Sequence, residues 1–157
     1  MVNEIMSDVV IASDRNYLHL VSICVVSLFE TNPDRKLHIH LLSNGVDVED
    51  LGVLKTIVER YRGELSIYPI ENLRDRLTVD VPSTISVTSY ARLFVGSILP
   101  ENLDKVLYID CDIIFNGDIR NLFDTDLADN LVGGVLDPLI SCTYKKEIKI
   151  PMNEPYI

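Results

Sequence analysis

The segment Asp8-Val9-Val10-Ile11-Ala12-Ser13-Asp14-Arg15-Asn16 is a short apolar strand followed by a cluster of turn and helix-capping residues. Apolar residues at helical spacing follow over residues 17–31, and Asn32-Pro33-Asp34 ends that helix. The next elements alternate in the same way: a strand at 37–42, a helix at 48–61 and a strand at 65–70. This β-α-β-α-β order predicts an α/β fold with a doubly wound, mostly parallel sheet flanked by helices.

The second half of the chain is less regular. After an irregular stretch at 71–88, the patterns predict a helix at 89–98, a strand at 105–109, a helical turn at 119–123 and a strand at 130–136. There is no internal repeat, low-complexity segment or linker. We therefore expect the 157 residues to belong to one domain.

Composition narrows the class of protein. The chain is 47% hydrophobic and 24% charged, which suits a folded domain with a core. Its net charge of −10 argues against nucleic acid as a partner, because phosphate binding requires clustered Lys and Arg. The cysteines show no Cys-x-x-Cys spacing, and the sequence has neither a signal peptide nor about 18 unbroken apolar residues, so we expect a cytoplasmic protein without a transmembrane segment.

The most informative polar residues lie at the end of an apolar run. The strand at 105–109 leads directly into Asp110-Cys111-Asp112, two carboxylates one residue apart. Ionised carboxylates in a buried strand are costly, but they are tolerable where the strand ends at a crevice and a cation neutralises them. Oxygen ligands of this kind suit Mg²⁺ or Mn²⁺ better than zinc. We therefore predict a metal-assisted anion site that binds the diphosphate of a nucleotide; the alternative is a solvated strand end.

The two commonest backbone cradles for phosphate are absent from the sequence. The first loop lacks Gly-x-Gly-x-x-Gly, and Gly-x-x-x-x-Gly-Lys occurs nowhere. If a nucleotide binds, a metal ion and side chains must hold its phosphates.

Four sequence blocks, taken together, resemble glycosyltransferase family 8. In chain order they are Ile11-Ala12-Ser13-Asp14-Arg15-Asn16-Tyr17, Ser86-Val87-Thr88-Ser89-Tyr90-Ala91-Arg92-Leu93, Asp104-Lys105-Val106-Leu107-Tyr108-Ile109-Asp110-Cys111-Asp112 and Leu122-Phe123-Asp124-Thr125-Asp126-Leu127. The resemblance runs from about Asp8 to the end of the chain. It implies a GT-A fold, a Rossmann-like nucleotide-binding sheet, with a UDP-hexose as donor and Mn²⁺ or Mg²⁺ as the cofactor.

The same resemblance implies a uridine pocket in the first loop. Ala12, Asp14 and Asn16 would line it, with Asp14 accepting a hydrogen bond from uracil, and Tyr17 would stack on the base. From the residues alone, Asp14 could instead cap the first helix, although a cap and a ligand contact can coexist at a strand-to-helix turn. Tyr17 could be a packing residue on the helix face.

It also implies the groups that hold the diphosphate and the sugar. Asp110 and Asp112 would ligate the metal, and Cys111 would contribute mainly backbone near the ribose. Arg92 would reach the donor sugar or the diphosphate, and Asp137 would lie near the sugar. From the residues alone, Arg92 could instead form a surface ion pair.

The remaining histidines and cysteines suggest little chemistry. His38 and His40 share a face of the second strand, but neither has a carboxylate or cysteine neighbour in the sequence, so a solvated pair is favoured over a zinc site. Cys24 and Cys142 have no adjacent base that would activate a nucleophile.

For function, the resemblance implies a retaining hexosyltransferase that moves glucose or galactose to a glycan or lipopolysaccharide acceptor. Lipid-linked acceptors would place it peripherally at the inner face of the membrane. Family members continue into segments that supply a third metal ligand and a diphosphate-binding lysine. We therefore expect residues 1–157 to be the nucleotide-sugar-binding part of one GT-A domain, incomplete at the C-terminus and inactive alone.

Three other functions share some of these features. A non-catalytic UDP-sugar-binding module would keep the nucleotide pocket without transferring sugar. A phosphatase of the haloacid dehalogenase type also places Asp-x-Asp after an apolar strand, but normally after the first strand rather than the fourth. A sugar-nucleotide pyrophosphorylase would need a glycine-rich first loop, which residues 12–16 do not form.

Overall fold

The computed structural model describes residues 6–70, 73–77 and 86–134. Within these ranges the strands are β1 (Met6–Asp14), β2 (Lys36–Asn44), β3 (Glu64–Pro69) and β4 (Leu107–Ile109). The α-helices are α1 (Leu18–Thr31), α2 (Gly52–Arg60), α3 (Leu73–Arg76), α4 (Val95–Ile98) and α5 (Arg120–Phe123). A 3₁₀ helix at Arg15–Tyr17 leads into α1, and another at Val87–Phe94 leads into α4.

The strands form one parallel sheet in the order β3-β2-β1-β4. The chain moves outward from β1 through β2 to β3 and then returns to place β4 on the other side of β1. This confirms the predicted doubly wound α/β fold flanked by helices. In such sheets a crevice forms at the carboxyl ends of the two strands between which the direction changes, here β1 and β4.

Alternating apolar residues of the strands build a core on each face of the sheet. On one face, Val9, Ile11 and Leu41 pack with the buried residues of α1 and α2. On the other face, Val10 and Leu42 pack with residues that include Ala91 of the second 3₁₀ helix. Burial of both faces explains the continuous apolar run Val9-Val10-Ile11-Ala12 in the middle of β1.

The structure corrects two element predictions. Residues 130–134 of the expected strand at 130–136 are not strand, and Leu131 is 97% exposed, so no apolar face there is buried. The helix expected at 89–98 is a 3₁₀ helix over Val87–Phe94 followed by the single turn α4. Ser86 begins it, because the Ser86 hydroxyl accepts the backbone N–H of Thr88 at 3.3 Å.

The structure also corrects the prediction of a solvated histidine pair. His40 is buried and His38 largely so, and both rings lie against Asp8 of the neighbouring strand. The carboxylate that the local sequence lacks therefore comes from a residue about thirty positions earlier. His19, by contrast, is exposed on α1.

The chain divides into two compact units, residues 1–123 and 124–157. The described part of the second unit, residues 124–134, contains a turn in which the Asp126 carboxylate accepts the backbone N–H of Ala128 at 2.8 Å. Among the described residues, no helix has the length and apolar character needed to cross a bilayer.

Replacing Gly52 or Gly63, which lie at opposite ends of α2, with alanine should change the free energy of unfolding in opposite directions. A Cβ at Gly63 would lie less than 3.0 Å from two ring carbons of Phe29, which is buried and stacked on Tyr61, whereas a Cβ at Gly52 meets open space. Gly63→Ala should lower the free energy of unfolding by about 1–3 kcal/mol through overpacking. Gly52→Ala should raise it by up to about 1 kcal/mol through helix propensity. Urea unfolding of both variants checks this, and equal changes would contradict the packing described for Phe29.

Candidate functional site

A cavity of about 380 Å³ opens beside the carboxyl ends of β1 and β4. This is the position at which an open α/β sheet binds ligands. Its walls come from the end of β1 and the first loop, from the second 3₁₀ helix, and from the segment after β4. The lining residues are Ala12, Ser13, Asp14, Tyr17, Ser86, Thr88, Ser89, Arg92, Tyr108, Asp110, Cys111 and Asp112.

The first loop presents a carboxylate and an aromatic ring to this cavity. Asp14 has extended backbone, and one of its carboxylate oxygens accepts the backbone N–H of Asn16 at 2.9 Å, so it caps the 3₁₀ helix that follows. The second carboxylate oxygen of Asp14 takes no part in this capping hydrogen bond. Tyr17 lines the cavity and is 48% exposed, so about half of its side chain is open to solvent or to a ligand. Asn16 is exposed and does not line the cavity.

The guanidinium of Arg92 is held in place by three contacts. Buried Thr88 and Ala91 anchor its 3₁₀ helix, and the Arg92 Nε donates to the carbonyl of Ser89 at 3.0 Å. The guanidinium lies 5.0 Å from the ring centroid of Tyr108 and donates to the Asp110 carboxylate at 2.9 Å. Arg92 therefore forms the ion pair that the sequence allowed, and that pair lies within the cavity.

The carboxylates after β4 remain accessible. Asp110 is about half exposed and Asp112 is exposed, although β4 itself ends at the buried Ile109. The thiol of Cys24 in α1 lies 4.0 Å from the carbonyl oxygen of Asp110, which ties the backbone at this point to the helix. The side chains are therefore available to a ligand while the backbone that carries them is anchored.

The donor atoms of this pair fit a hard divalent cation. Both side chains offer carboxylate oxygens, and one of them already attracts the guanidinium of Arg92. Oxygen donors at an open site are what Mg²⁺ and Mn²⁺ prefer. Asp110 and Asp112 are thus the residues of this cavity that could hold a metal.

Neither described cysteine has the character of a nucleophile. Burial raises the pKa of the fully buried Cys24 thiol to about 12. Burial, followed by the nearby Asp112 carboxylate, also raises the pKa of Cys111. Both thiols therefore stay protonated near neutral pH, as the sequence suggested for Cys24. Cys142 and Asp137 lie outside the described residues.

Arg15, the basic residue of the first loop, forms ion pairs outside the cavity. The Arg15 guanidinium lies 2.9 Å from Asp50 and 3.3 Å from Asp47, and Arg15 is not among the residues that line the cavity. Among the described lining residues, three carboxylates (Asp14, Asp110 and Asp112) are accompanied by a single guanidinium.

Sequence reasoning missed several lining residues. They are Ser13, Ser86, Thr88, Ser89 and Tyr108. Strand alternation could have identified Tyr108, because it lies two residues before Asp110 and so faces the same side. The hydroxyl residues carry no local signal, since the proximity of the second 3₁₀ helix to β1 is set by the fold.

The family model for Glycosyl transferase family 8 matches residues 8–155. The chain belongs to this family. Membership confirms the resemblance carried by the four sequence blocks, and it removes the phosphatase interpretation. The structure agrees, because Asp110 directly follows β4, the fourth strand in the described part of the chain, and not β1.

Relatives in family 8 include enzymes of lipopolysaccharide synthesis. The chain is 28% identical over 125 residues to the lipopolysaccharide 1,3-galactosyltransferase of Salmonella typhimurium, covering 78% of this chain and 36% of that protein. It is 27% identical over 125 residues to the lipopolysaccharide 1,2-glucosyltransferase of Escherichia coli, covering 79% of this chain and 36% of that protein.

A solved structure in the family has the same fold. The galactosyltransferase LgtC, crystallised with donor and acceptor sugar analogues, superposes with a TM-score of 0.84 at 28% identity. The match covers 95% of this chain and 54% of LgtC. This chain therefore spans about half the length of LgtC and about a third of the length of the two lipopolysaccharide enzymes.

Proposed function

We propose that this chain forms the donor-binding part of a metal-dependent, retaining hexosyltransferase whose donor is UDP-glucose or UDP-galactose. One observation carries the proposal: Asp14, Arg92, Asp110 and Asp112 meet in one cavity beside β1 and β4. Family membership supports glycosyl transfer, and the names of the relatives support a hexose.

The charge of the cavity supports a metal cofactor. Three carboxylates and one guanidinium would repel a nucleoside diphosphate unless a further cation were present. We propose Mn²⁺ or Mg²⁺, held by Asp110 and Asp112. When bound, such an ion stabilises the charge that develops on the leaving diphosphate.

The protein side chains would orient the donor. Asp14 has a carboxylate oxygen beyond the one used in capping, and that oxygen can accept the imide N–H of uracil. Tyr17 offers an exposed ring face for the base. Arg92 lies over the ring of Tyr108 and donates a hydrogen bond to the Asp110 carboxylate. When the donor binds, Arg92 could donate this charge-assisted hydrogen bond to a diphosphate oxygen instead. Ala12 and Cys111 also line the cavity, and their small side chains would let the nucleoside approach the backbone.

The names of the relatives also support a proposal for the acceptor and for the location of the whole enzyme. We propose a glycan or a lipid-linked glycan such as lipopolysaccharide as acceptor, because the Salmonella and Escherichia coli relatives are named for it. An enzyme with such a substrate would work in the cytoplasm, peripherally at the inner face of the membrane.

Nucleotide selectivity tests the proposed donor class. In the presence of Mn²⁺, UDP should bind at least about tenfold more tightly than ADP or GDP, because a larger purine would lose the contacts of the Asp14 pocket. Calorimetric titration of the three nucleotides measures the ratio. Equal affinities would overturn the assignment of a uridine donor.

Asp14→Ser separates the capping role of this residue from the nucleotide role. Serine caps a helix about as well as aspartate, but its side chain is too short to reach a base. We expect about tenfold weaker UDP binding, the value of one charge-assisted hydrogen bond. The melting temperature should change little, and a variant with unchanged UDP affinity would assign Asp14 to capping alone.

Arg92→Gln should affect the two ligands in opposite directions. UDP binding should weaken by about tenfold or more, because a charge-assisted hydrogen bond to the diphosphate is lost. Mn²⁺ binding without nucleotide should strengthen, because the Arg92 guanidinium no longer competes with the metal ion for the Asp110 carboxylate. Arg120→Gln is the matched control, since Arg120 forms a comparable exposed pair with Asp118 at 3.0 Å away from the cavity lining. A parallel fall in both affinities would show that Arg92 only supports the structure.

A further inference from the structure

A second group of metal-ligating side chains lies on β1 and β2. Parallel pairing places Asp8 opposite His38 and Val10 opposite His40, and strand alternation puts all three polar side chains on one face. The Asp8 Oδ1 atom lies 2.9 Å from His40 Nε2 and 3.3 Å from His38 Nδ1. The three ligand atoms lie within 4.8 Å of one another.

The far nitrogen of each ring is held by a residue of β3. His38 Nε2 lies 2.8 Å from the Ser66 hydroxyl, and His40 Nδ1 lies 3.1 Å from the Tyr68 hydroxyl. A ligating histidine usually has its other ring nitrogen fixed in this way, because the outer hydrogen bond sets the tautomer and the ring orientation. Both rings are therefore fixed with one nitrogen directed at Asp8.

We propose that Asp8, His38 and His40 form a binding site for a divalent transition metal ion of the Zn²⁺ class. Two ligands bound to one tetrahedral Zn²⁺ at about 2.0–2.1 Å are about 3.3 Å apart, which is close to the two spacings around Asp8 Oδ1. Two imidazoles and one carboxylate are a recurrent zinc ligand set that leaves a fourth position for water.

The electrostatics of the group favour a cation. The Asp8 side chain is only 12% exposed, and that of His40 only 1%. A buried carboxylate between imidazoles is costly without a positive partner, and a divalent ion would provide one.

This site is separate from the cavity described above. Asp8 lies six residues before Asp14 on the same strand, a separation of about 20 Å at the rise of an extended chain. The side chains of His38 and Asp8 are 19% and 12% exposed, which gives an ion a path from solvent. Because the ligands come from two paired strands, a bound ion would link β1 to β2 and stabilise the sheet.

Cobalt spectroscopy tests the site without an activity assay. The protein would carry Asp110→Asn/Asp112→Asn, so that these two carboxylates of the cavity cannot bind the ion, and Co²⁺ would be titrated into it. We expect one equivalent to produce the intense visible bands of four-coordinate cobalt and one equivalent of Zn²⁺ to remove them. Absence of these bands in the folded protein would overturn the proposal.

Histidine variants assign the ligands. His38→Gln should abolish the bands, whereas His19→Gln, which changes the exposed histidine of α1, should retain them. Tyr68→Phe keeps all three ligands and should weaken cobalt binding by about 10- to 100-fold through loss of the outer hydrogen bond. Circular dichroism confirms folding of each variant. Two results would contradict this assignment: visible bands that persist in folded His38→Gln, or an unchanged cobalt affinity in Tyr68→Phe.

Discussion

Replacing both Asp110 and Asp112 with asparagine should reduce Mn²⁺-dependent UDP binding by at least about 100-fold. A neutral amide is a far weaker ligand for a hard cation than a carboxylate. Without the cation, Arg92 is the one positive group among the described residues that line the cavity. The fold should survive, because Asp110 and Asp112 are exposed and the lost Asp110–Arg92 pair contributes less than about 1 kcal/mol. Calorimetry in Mn²⁺ measures the affinity, and thermal unfolding checks the fold.

The control for this double variant must change the net charge by the same amount. Asp34→Asn/Asp129→Asn does so at two exposed carboxylates that do not line the cavity. We expect it to keep the affinity of the unsubstituted chain within about threefold, because neither carboxylate lines the cavity and exposed charges are screened by solvent and salt. If the two double variants lose affinity equally, net charge and not metal ligation explains UDP binding.

The second large effect concerns stability. Leu41 lies in β2, between β1 and β3, and is fully buried in the core formed with α1 and α2. Leu41→Ala should lower the free energy of unfolding by about 2–5 kcal/mol, through lost burial and the cavity left behind. Because domains of this size are stable by only about 5–15 kcal/mol, urea unfolding should show a clear shift of the midpoint.

An exposed valine provides the comparison for Leu41. Val53 lies on α2 and is 66% exposed. Val53→Ala should change the free energy of unfolding by less than about 0.5 kcal/mol, because it removes little buried surface. A similar loss in both variants would show that the β2 strand is not at the centre of the core.

Much of the fold could be predicted because, in the first half of the chain, each strand and helix has a clear apolar pattern in its own sequence. The alternation of apolar strands with amphipathic helices over residues 8–70 gave the correct order of elements, with small errors at their ends. The helix α2 begins at Gly52 rather than at residue 48, because residues 47–50 form a turn in which Asp50 accepts the backbone N–H of Asp47. The strand expected at 130–136 was wrong over its described part, since an apolar pattern alone does not supply a partner strand.

The candidate site was predictable where the residue type itself carried the signal. Asp110 and Asp112 stood out as carboxylates after an apolar run, and the structure places them in the same cavity as Asp14 and Arg92. The partner of the two histidines could not be found in this way. Asp8 reaches His38 and His40 only through the pairing of β1 with β2, which local sequence does not reveal.

The measurement that tests the central claim most directly is calorimetric titration of UDP into this chain, once with Mn²⁺ and once with EDTA. We predict saturable binding in Mn²⁺ and at least about 100-fold weaker binding in EDTA, because the carboxylates of the cavity then face the diphosphate without a cation between them. Binding of equal strength in EDTA, or no binding at millimolar UDP in Mn²⁺, would contradict the account of a metal-dependent donor site.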